Sequence, residues 1–300
     1  MKNILNKDKV PLLRWNFFLK MKEIKLKTAD GCEITAHIFS PEADNGKLLL
    51  INAATGVKQQ IYFSFAKYFA EHGFTVLTYD YRGIGLSKPS KMRGFKASMR
   101  IWGTQDYKTL TEYIMTNFKN HHKFCLGHSV GALILGMNED SQIFEKFVFV
   151  GTQDAFIGHL PLSVRPTALL GFGIAVPVTS SLLGYFPAHW FGLGESLPKG
   201  SAYDWRKLIL NRKSTGKLFA QIEKDHSKSL RQEALVIYAE DDPWVKMKGM
   251  ESLMNKGYSN IRKRYREVKI SESPKKEIGH INFFRSYNKR LWKIVLDYLA

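Results

Sequence analysis

From Glu23 onward apolar and polar positions alternate: EIKLKTADG and CEITAHIFSP read as two strands joined at Asp30-Gly31. An Asp-Gly step between alternating segments is a hairpin signal. The pattern then changes to nearly continuous apolar runs: KLLLINAA (Lys47 to Ala54), FTVLTYD (Phe74 to Asp80), KFCLGH (Lys123 to His128) and FEKFVFVG (Phe144 to Gly151). Runs of this kind suit strands buried on both faces of a parallel sheet. Segments with helical spacing lie between them, at Gln59 to His72 with Gly73 just beyond, around Asp106 to Phe118, and after residue 129. EALVIYAEDD (Glu233 to Asp242) and RKRYREVKI (Arg262 to Ile270) supply two more strands, and Asn282 to Leu299 reads as a closing amphipathic helix. Strand and helix in alternation imply crossover connections. The expected fold is α/β, a mostly parallel eight-stranded sheet with helices on both faces.

One interval breaks the rhythm. Between Gly151 and Glu233 lie about eighty residues rich in Gly, Pro, Trp and Phe, where one helix would cross from strand to strand. This reads as an inserted cap. The expected organisation is an N-terminal extension over 1–22, core over 23–154, cap over 155–232 and core again over 233–300.

The 300 residues suit one large α/β domain with an insertion. Lys and Arg number 45 against 27 Asp and Glu, a net charge of +18, which favours anionic partners through long-range attraction. The excess gathers at the ends: eight against three in residues 1–30, and fourteen against five in residues 246–300. No stretch interleaves aromatic and basic residues as a base-stacking platform would, so nucleic acid is not an expected partner. Cys32 and Cys125 are the only cysteines. Both fall in expected strands, so neither a disulfide framework nor a cysteine metal site is indicated, and a reducing, cytoplasmic setting fits. The first residues lack the apolar core and cleavage site of a secretory leader, and Met21 stands as an alternative start before the first strand. Thr167 to Phe186 is twenty residues without a charge, long enough to raise the question of a membrane span. Its glycines, Pro177 and the Thr-Ser-Ser run weigh against one.

The chemistry centres on GHSVG, Gly127 to Gly131, placed where a buried strand gives way to a helix. A serine on so sharp a turn holds its hydroxyl out at the C-terminal edge of the sheet and at a helix N-terminus, where backbone N–H groups favour developing negative charge. The flanking glycines are needed because a Cβ there would strike the neighbouring chain. Ser129 is the candidate nucleophile.

A serine hydroxyl needs a base, and the base needs a carboxylate to orient it. In this architecture the order is Ser, then acid, then His, and YAEDDPW and EIGHINFF follow in that order. His280 is the candidate base. Asp241 and Asp242 are adjacent and point in alternate directions; Asp242, next to Pro243 where the strand must end, is preferred. His128 is expected to face away from the catalytic side. His159 and His189 belong to the cap. One oxyanion donor should be the N–H of Val130, the residue after the nucleophile, and the other should come from the loop INAATGV, where Ala54 N–H is nominated.

With these elements in place, the chain from Glu23 to its C-terminus resembles the α/β-hydrolase superfamily. ATGVKQQIYFSFAKYFAEHGFTVLTYDYRGIGLS, GYFPAHWFGLGESLPKG and EIGHINFFR look like bacterial predicted α/β hydrolases near the serine-aminopeptidase and monoacylglycerol-lipase-like branch. Asp80, Tyr81, Arg82, Gly83 and Gly85 match that superfamily's loop after its fourth strand, with Arg82 expected to pair with a carboxylate such as Asp106. Asn52-Ala53 stands where many relatives carry His-Gly. The resemblance implies a serine hydrolase with no metal or organic cofactor, and leaves the substrate open.

The uncharged cap stretch suggests a lid that shields an acyl chain, with Phe156, Tyr185, Phe186 and Trp190 as candidate substrate-binding residues and Phe191 and Trp205 beside them. The expected activity is hydrolysis of carboxylic esters with an apolar acyl group through an acyl-enzyme, and the expected partners are a small ester and, transiently, an anionic membrane surface. The alternatives are an acyltransferase on the same triad and a non-catalytic binding protein on a hydrolase scaffold.

Overall fold

The computed structural model describes residues 20–300, so the extension expected over 1–22 lies outside the described residues apart from its last three. Those three already belong to the first strand. The strands are β1 (Lys20–Lys27), β2 (Glu33–Ser40), β3 (Lys47–Asn52), β4 (Phe74–Tyr79), β5 (His122–His128), β6 (Lys146–Val150), β7 (Tyr185–Phe186), β8 (Leu197–Pro198), β9 (Glu233–Ala239) and β10 (Arg262–Val268). Eight of them form one sheet in the order β1-β2-β4-β3-β5-β6-β9-β10, while β7 and β8 pair separately. β2 runs antiparallel to β1 and β4, and every pair from β4 to β10 is parallel. The β1–β2 hairpin turns at Gly31, whose φ is +85°.

The continuous apolar runs occupy the middle of the sheet. Leu48, Leu49 and Leu50 of β3, Leu126 of β5, Val148 of β6 and Val236 of β9 have no exposed surface, because helices cover both faces. On one face the helix Phe63–Glu71 packs Phe65 edge-on against Trp292, with ring centroids 5.5 Å apart, which joins it to the C-terminal helix Trp292–Leu299. That closing helix is shorter than its sequence period suggests. Asn282–Phe284 and Ser286–Leu291 form 3₁₀ turns instead, since Arg285 is extended (φ −76°, ψ 143°) and the Asn288 side chain donates to the carbonyls of Glu277 and Asn282. The result is a compact loop that returns residues 278–284 to the C-terminal edge of the sheet.

The loop after β4 is fastened by charge. Arg82 Nε donates to Asp106 at 2.6 Å and the Arg82 backbone N–H donates to the other oxygen of the same carboxylate at 2.9 Å. Its remaining nitrogens reach Asp30 in the first hairpin. The Arg82 and Asp106 side chains are 3% and 0% exposed, Asp30 44%. Removing one partner of a buried pair leaves an uncompensated charge, whereas an exposed partner is replaced by water. Asp106→Ala should therefore cost about 3–5 kcal/mol in urea denaturation and Asp30→Ala within about 1 kcal/mol; equal costs would show that the pair does not act as a buried unit.

Candidate active site

Ser129 sits between β5 and the helix Val130–Leu133 with φ 53° and ψ −116°, a conformation an L-residue holds only when its surroundings enforce it. Two features do so here. Its N–H donates to Val150 O at 2.9 Å and its carbonyl accepts from Thr152 Oγ1 at 3.0 Å, which clamps the turn against β6. The chain also crosses itself closely: a Cβ on Gly127 would lie 2.5 Å from the Ala132 backbone, and one on Gly131 would lie 2.2 Å from Asn52 O. The glycines are therefore a steric requirement. Asn52 itself is fully buried, donating to Gly131 O and accepting from Tyr79 Oη, so it ties β3 to the turn that carries Ser129.

The loops after β9 and β10 bring the other candidates to this edge. His280 Nδ1 lies 2.7 Å from Asp242 Oδ2, while Asp242 Oδ1 accepts the N–H groups of Trp244 and Val245 at 2.8 and 3.1 Å. Burial raises the Asp242 carboxyl, but His280 and these N–H donors outweigh it and leave the pKa below its ordinary value. The carboxylate holds the proton of His280 on Nδ1, which leaves Nε2 as an acceptor. Asp241, the neighbour, accepts from the backbone N–H of Ile278 and Gly279 at 2.9 Å each. Adjacent carboxylates thus divide the work: one holds the imidazole and one holds the loop that carries it.

Ser129 and His280 line one cavity of about 540 Å³, with no hydrogen bond yet formed between them, as is common before a substrate tightens such a site. Its walls are mostly apolar, from Ile61, Leu133, Trp205, Leu208, Ile209 and Trp244, with a Lys58–Glu195 ion pair at 3.4 Å among the polar lining groups. Of the six expected aromatic residues Trp205 lines the cavity and five are elsewhere. Phe186 is buried against Phe191, Trp190 is 63% exposed, Phe156 packs on His159, and Tyr185 pairs with Pro198; none of these five lines the cavity. Nor does any residue from Thr167 to Phe186, so the uncharged stretch does not wall this cavity. The cap wall comes instead from Leu193 and from the helix Lys199–Leu210, whose Trp205, Leu208 and Ile209 share a face at helical spacing.

Val130 opens its helix, so its N–H has no intrahelical partner and is placed as an oxyanion donor would be. Ala54 is not. Its N–H donates to Tyr62 Oη at 2.9 Å, and the loop amides that line the cavity without a hydrogen-bond partner among the described residues are those of Thr55 and Gly56.

The Ala54 bond belongs to a longer chain. Tyr62 Oη lies 2.8 Å from His128 Nδ1, and His128 Nε2 lies 2.8 Å from His280 O. A carbonyl only accepts, so Nε2 carries the proton. Burial first, and the neighbouring His280 second, push the pKa of His128 down to about 3, so the ring is neutral and Nδ1 must accept the tyrosine proton. Tyr62 oxygen is then free to accept from Ala54. Every proton in the series has one allowed place, and the series joins the loop after β3, the end of β5 and the His280 loop. His128 faces away from the cavity, as its neighbouring serine requires, yet it touches the backbone of the candidate base.

Among the described residues no cluster of three His, Cys, Asp or Glu could hold a metal ion. The depressed His128 pKa sets a pH dependence: between about 3 and the unfolded value of 6.5 the unfolded chain binds a proton that the native chain refuses. Stability should therefore fall as pH drops from 6.5 toward 3. In thermal melts His128→Gln should show a shallower loss over that window than the wild type, and parallel curves would contradict a neutral buried ring.

Comparison with known proteins agrees with this architecture. The family model described as serine aminopeptidase, S33, matches residues 47–153, from β3 through the elbow to the residues after β6. No curated protein matches the sequence. An esterase from Pyrococcus furiosus is 13% identical with a TM-score of 0.60, covering 98% of this chain and 94% of that one. An alpha-beta serine hydrolase homologue from Coxiella burnetii is 12% identical with a TM-score of 0.55 and coverage of 93% and 97%. A serine hydrolase without a lid from Xanthomonas campestris is 11% identical with a TM-score of 0.53 and coverage of 94% and 96%. The chain has an α/β-hydrolase fold, and residues 47–153, which carry GHSVG, match the family model described as serine aminopeptidase, S33.

Proposed function

We propose that this chain is a serine hydrolase that cleaves carboxylic esters with an apolar acyl group, through an acyl-enzyme on Ser129. The observation that carries the reading is the Asp242–His280 hydrogen bond opening on the same apolar cavity as a strained serine at a helix N-terminus. As Ser129 Oγ attacks the ester carbonyl, its proton passes to His280 Nε2, and Asp242 stabilises the imidazolium that forms. Negative charge develops on the former carbonyl oxygen, where Val130 N–H and an amide of the Thr55-Gly56 turn would receive it. Collapse expels the alcohol with the proton from His280. Water, deprotonated by the same imidazole, then attacks the acyl-enzyme and releases the acid.

The wall chemistry supports the substrate class. Aliphatic and indole surface from Ile61, Leu133, Leu208, Trp205 and Trp244 surrounds the cavity, and its volume lies within the range that encloses ligands larger than an acetyl group. Apolar walls gain roughly 0.8 kcal/mol for each methylene they bury, so activity should climb with acyl length until the cavity is filled.

With p-nitrophenyl esters, kcat/KM for octanoate should exceed that for acetate by about tenfold or more, and Ser129→Ala should lower both by about 10⁴-fold or more. Acetate as the better substrate would remove the apolar-acyl assignment, and unimpaired turnover by Ser129→Ala would remove the mechanism.

A further inference from the structure

The uncharged segment that fails to line the cavity has another consequence. Arg165–Leu183 is a continuous 19-residue helical stretch of mean hydropathy 1.5, yet its most apolar window is only 22% buried. It carries two apolar stripes. Ala168, Phe172, Val176 and Ser180, spaced by four, are buried, with Phe172 against Trp205 at 4.9 Å and its carbonyl accepting from Arg206 Nε. On the opposite side Leu170, Ile174, Val178 and Leu182, again spaced by four, are 49–68% exposed. The second stripe is interrupted by no charge. A solvent-facing helix ordinarily turns polar residues outward, and a contiguous exposed apolar patch marks a surface with a partner.

We infer that this outer face docks on the surface of an anionic lipid bilayer, with the helix lying in the plane of the interface. Four observations select that occupant. The inner stripe is packed on the cap, so the helix cannot leave the fold to span, whereas an interfacial helix buries one face only. Cations stand at both ends: Arg165 begins the stretch, and Arg93 donates to Leu182 O at its far end. Trp190 and Phe191, 63% and 45% exposed, lie just past that end, where Phe191 stacks on Phe186; tryptophan at the boundary of an apolar surface is a feature of the membrane interface. The cap from 155 to 232 holds ten Lys and Arg against four Asp and Glu, and the chain as a whole is at +18. A second copy would bring the same positive charge to the contact and be repelled, while a negatively charged leaflet attracts it. The inference does not depend on the chemistry of Ser129.

The test is co-sedimentation of the full chain with vesicles of phosphatidylcholine alone and of phosphatidylcholine with phosphatidylglycerol, at low and high salt, beside light scattering for oligomeric state. The wild type should pellet with the anionic vesicles, weakly with the neutral ones, and less as salt rises. The variant Leu170→Gln/Ile174→Gln/Leu182→Gln, altered only at exposed positions and checked by circular dichroism and thermal melting, should bind the anionic vesicles at least about tenfold more weakly. Equal binding by the variant, equal binding to neutral vesicles, or no binding by the wild type would each overturn the inference. So would a wild-type dimer that the triple substitution converts to monomer without any vesicle binding, which would assign the face to a second copy.

Discussion

The backbone at Ser129 is the constraint on which the rest of the site depends. With φ 53° and ψ −116°, it costs of order 1–3 kcal/mol that nothing local repays, and it survives because the parallel sheet leaves no other course for the chain. Val150 and Thr152 of the neighbouring strand and its extension hold the serine's N–H and carbonyl. Asn52 O stands where a side chain at position 131 would begin. A turn this tight aims the hydroxyl out of the sheet edge, sets Val130 N–H beside it, and decides which loops can reach it.

A buried polar series then sets those loops relative to one another. Ala54, Tyr62, His128 and the His280 carbonyl form a line of hydrogen bonds in which each proton has a single place, and the line holds only while His128 is neutral. Desolvation, which makes an isolated polar group expensive, here fixes the tautomer and removes alternative arrangements. The Asp241 carboxylate secures the same loop from its other side through two backbone amides. His280 is thus held by its ring, its own carbonyl and the amides that precede it.

Much of this was legible in the sequence because it is short-range or steric. The buried strands declared themselves by continuous apolar runs, the elbow by glycines on either side of a serine, and the acid and base by their order after the expected strands. The pairing of Arg82 with Asp106 followed from the resemblance. Between Asp241 and Asp242, the proline break pointed to the residue that meets His280, though the role of its neighbour was not visible. The loop after β3 was misread at Ala54, because the amide's partner is a tyrosine hydroxyl eight residues on, across a turn whose path composition does not encode. The cavity wall was misread for a different reason. Thr167 to Phe186 carries no charge on any side, so periodicity cannot say which stripe faces in, and the lining came from the next helix, an ordinary amphipathic segment, where Trp205 was expected and Leu208 and Ile209 were not. The C-terminal helix was also shortened, where Asn288 takes the Asn282 carbonyl that a longer helix would have used.

The central claim is that burial, strain and one carboxylate–imidazole pair make Ser129 nucleophilic. Its most direct test is treatment of the native chain with a fluorophosphonate followed by mass spectrometry of the digested protein, with Asp242→Asn and His280→Ala alongside. One phosphonyl adduct on the peptide containing Ser129, formed quickly in the wild type and at least about a hundredfold more slowly in both variants, is the expected result. Adduct formation that ignores Asp242 and His280, or that falls on another serine of a well-folded chain, would contradict it.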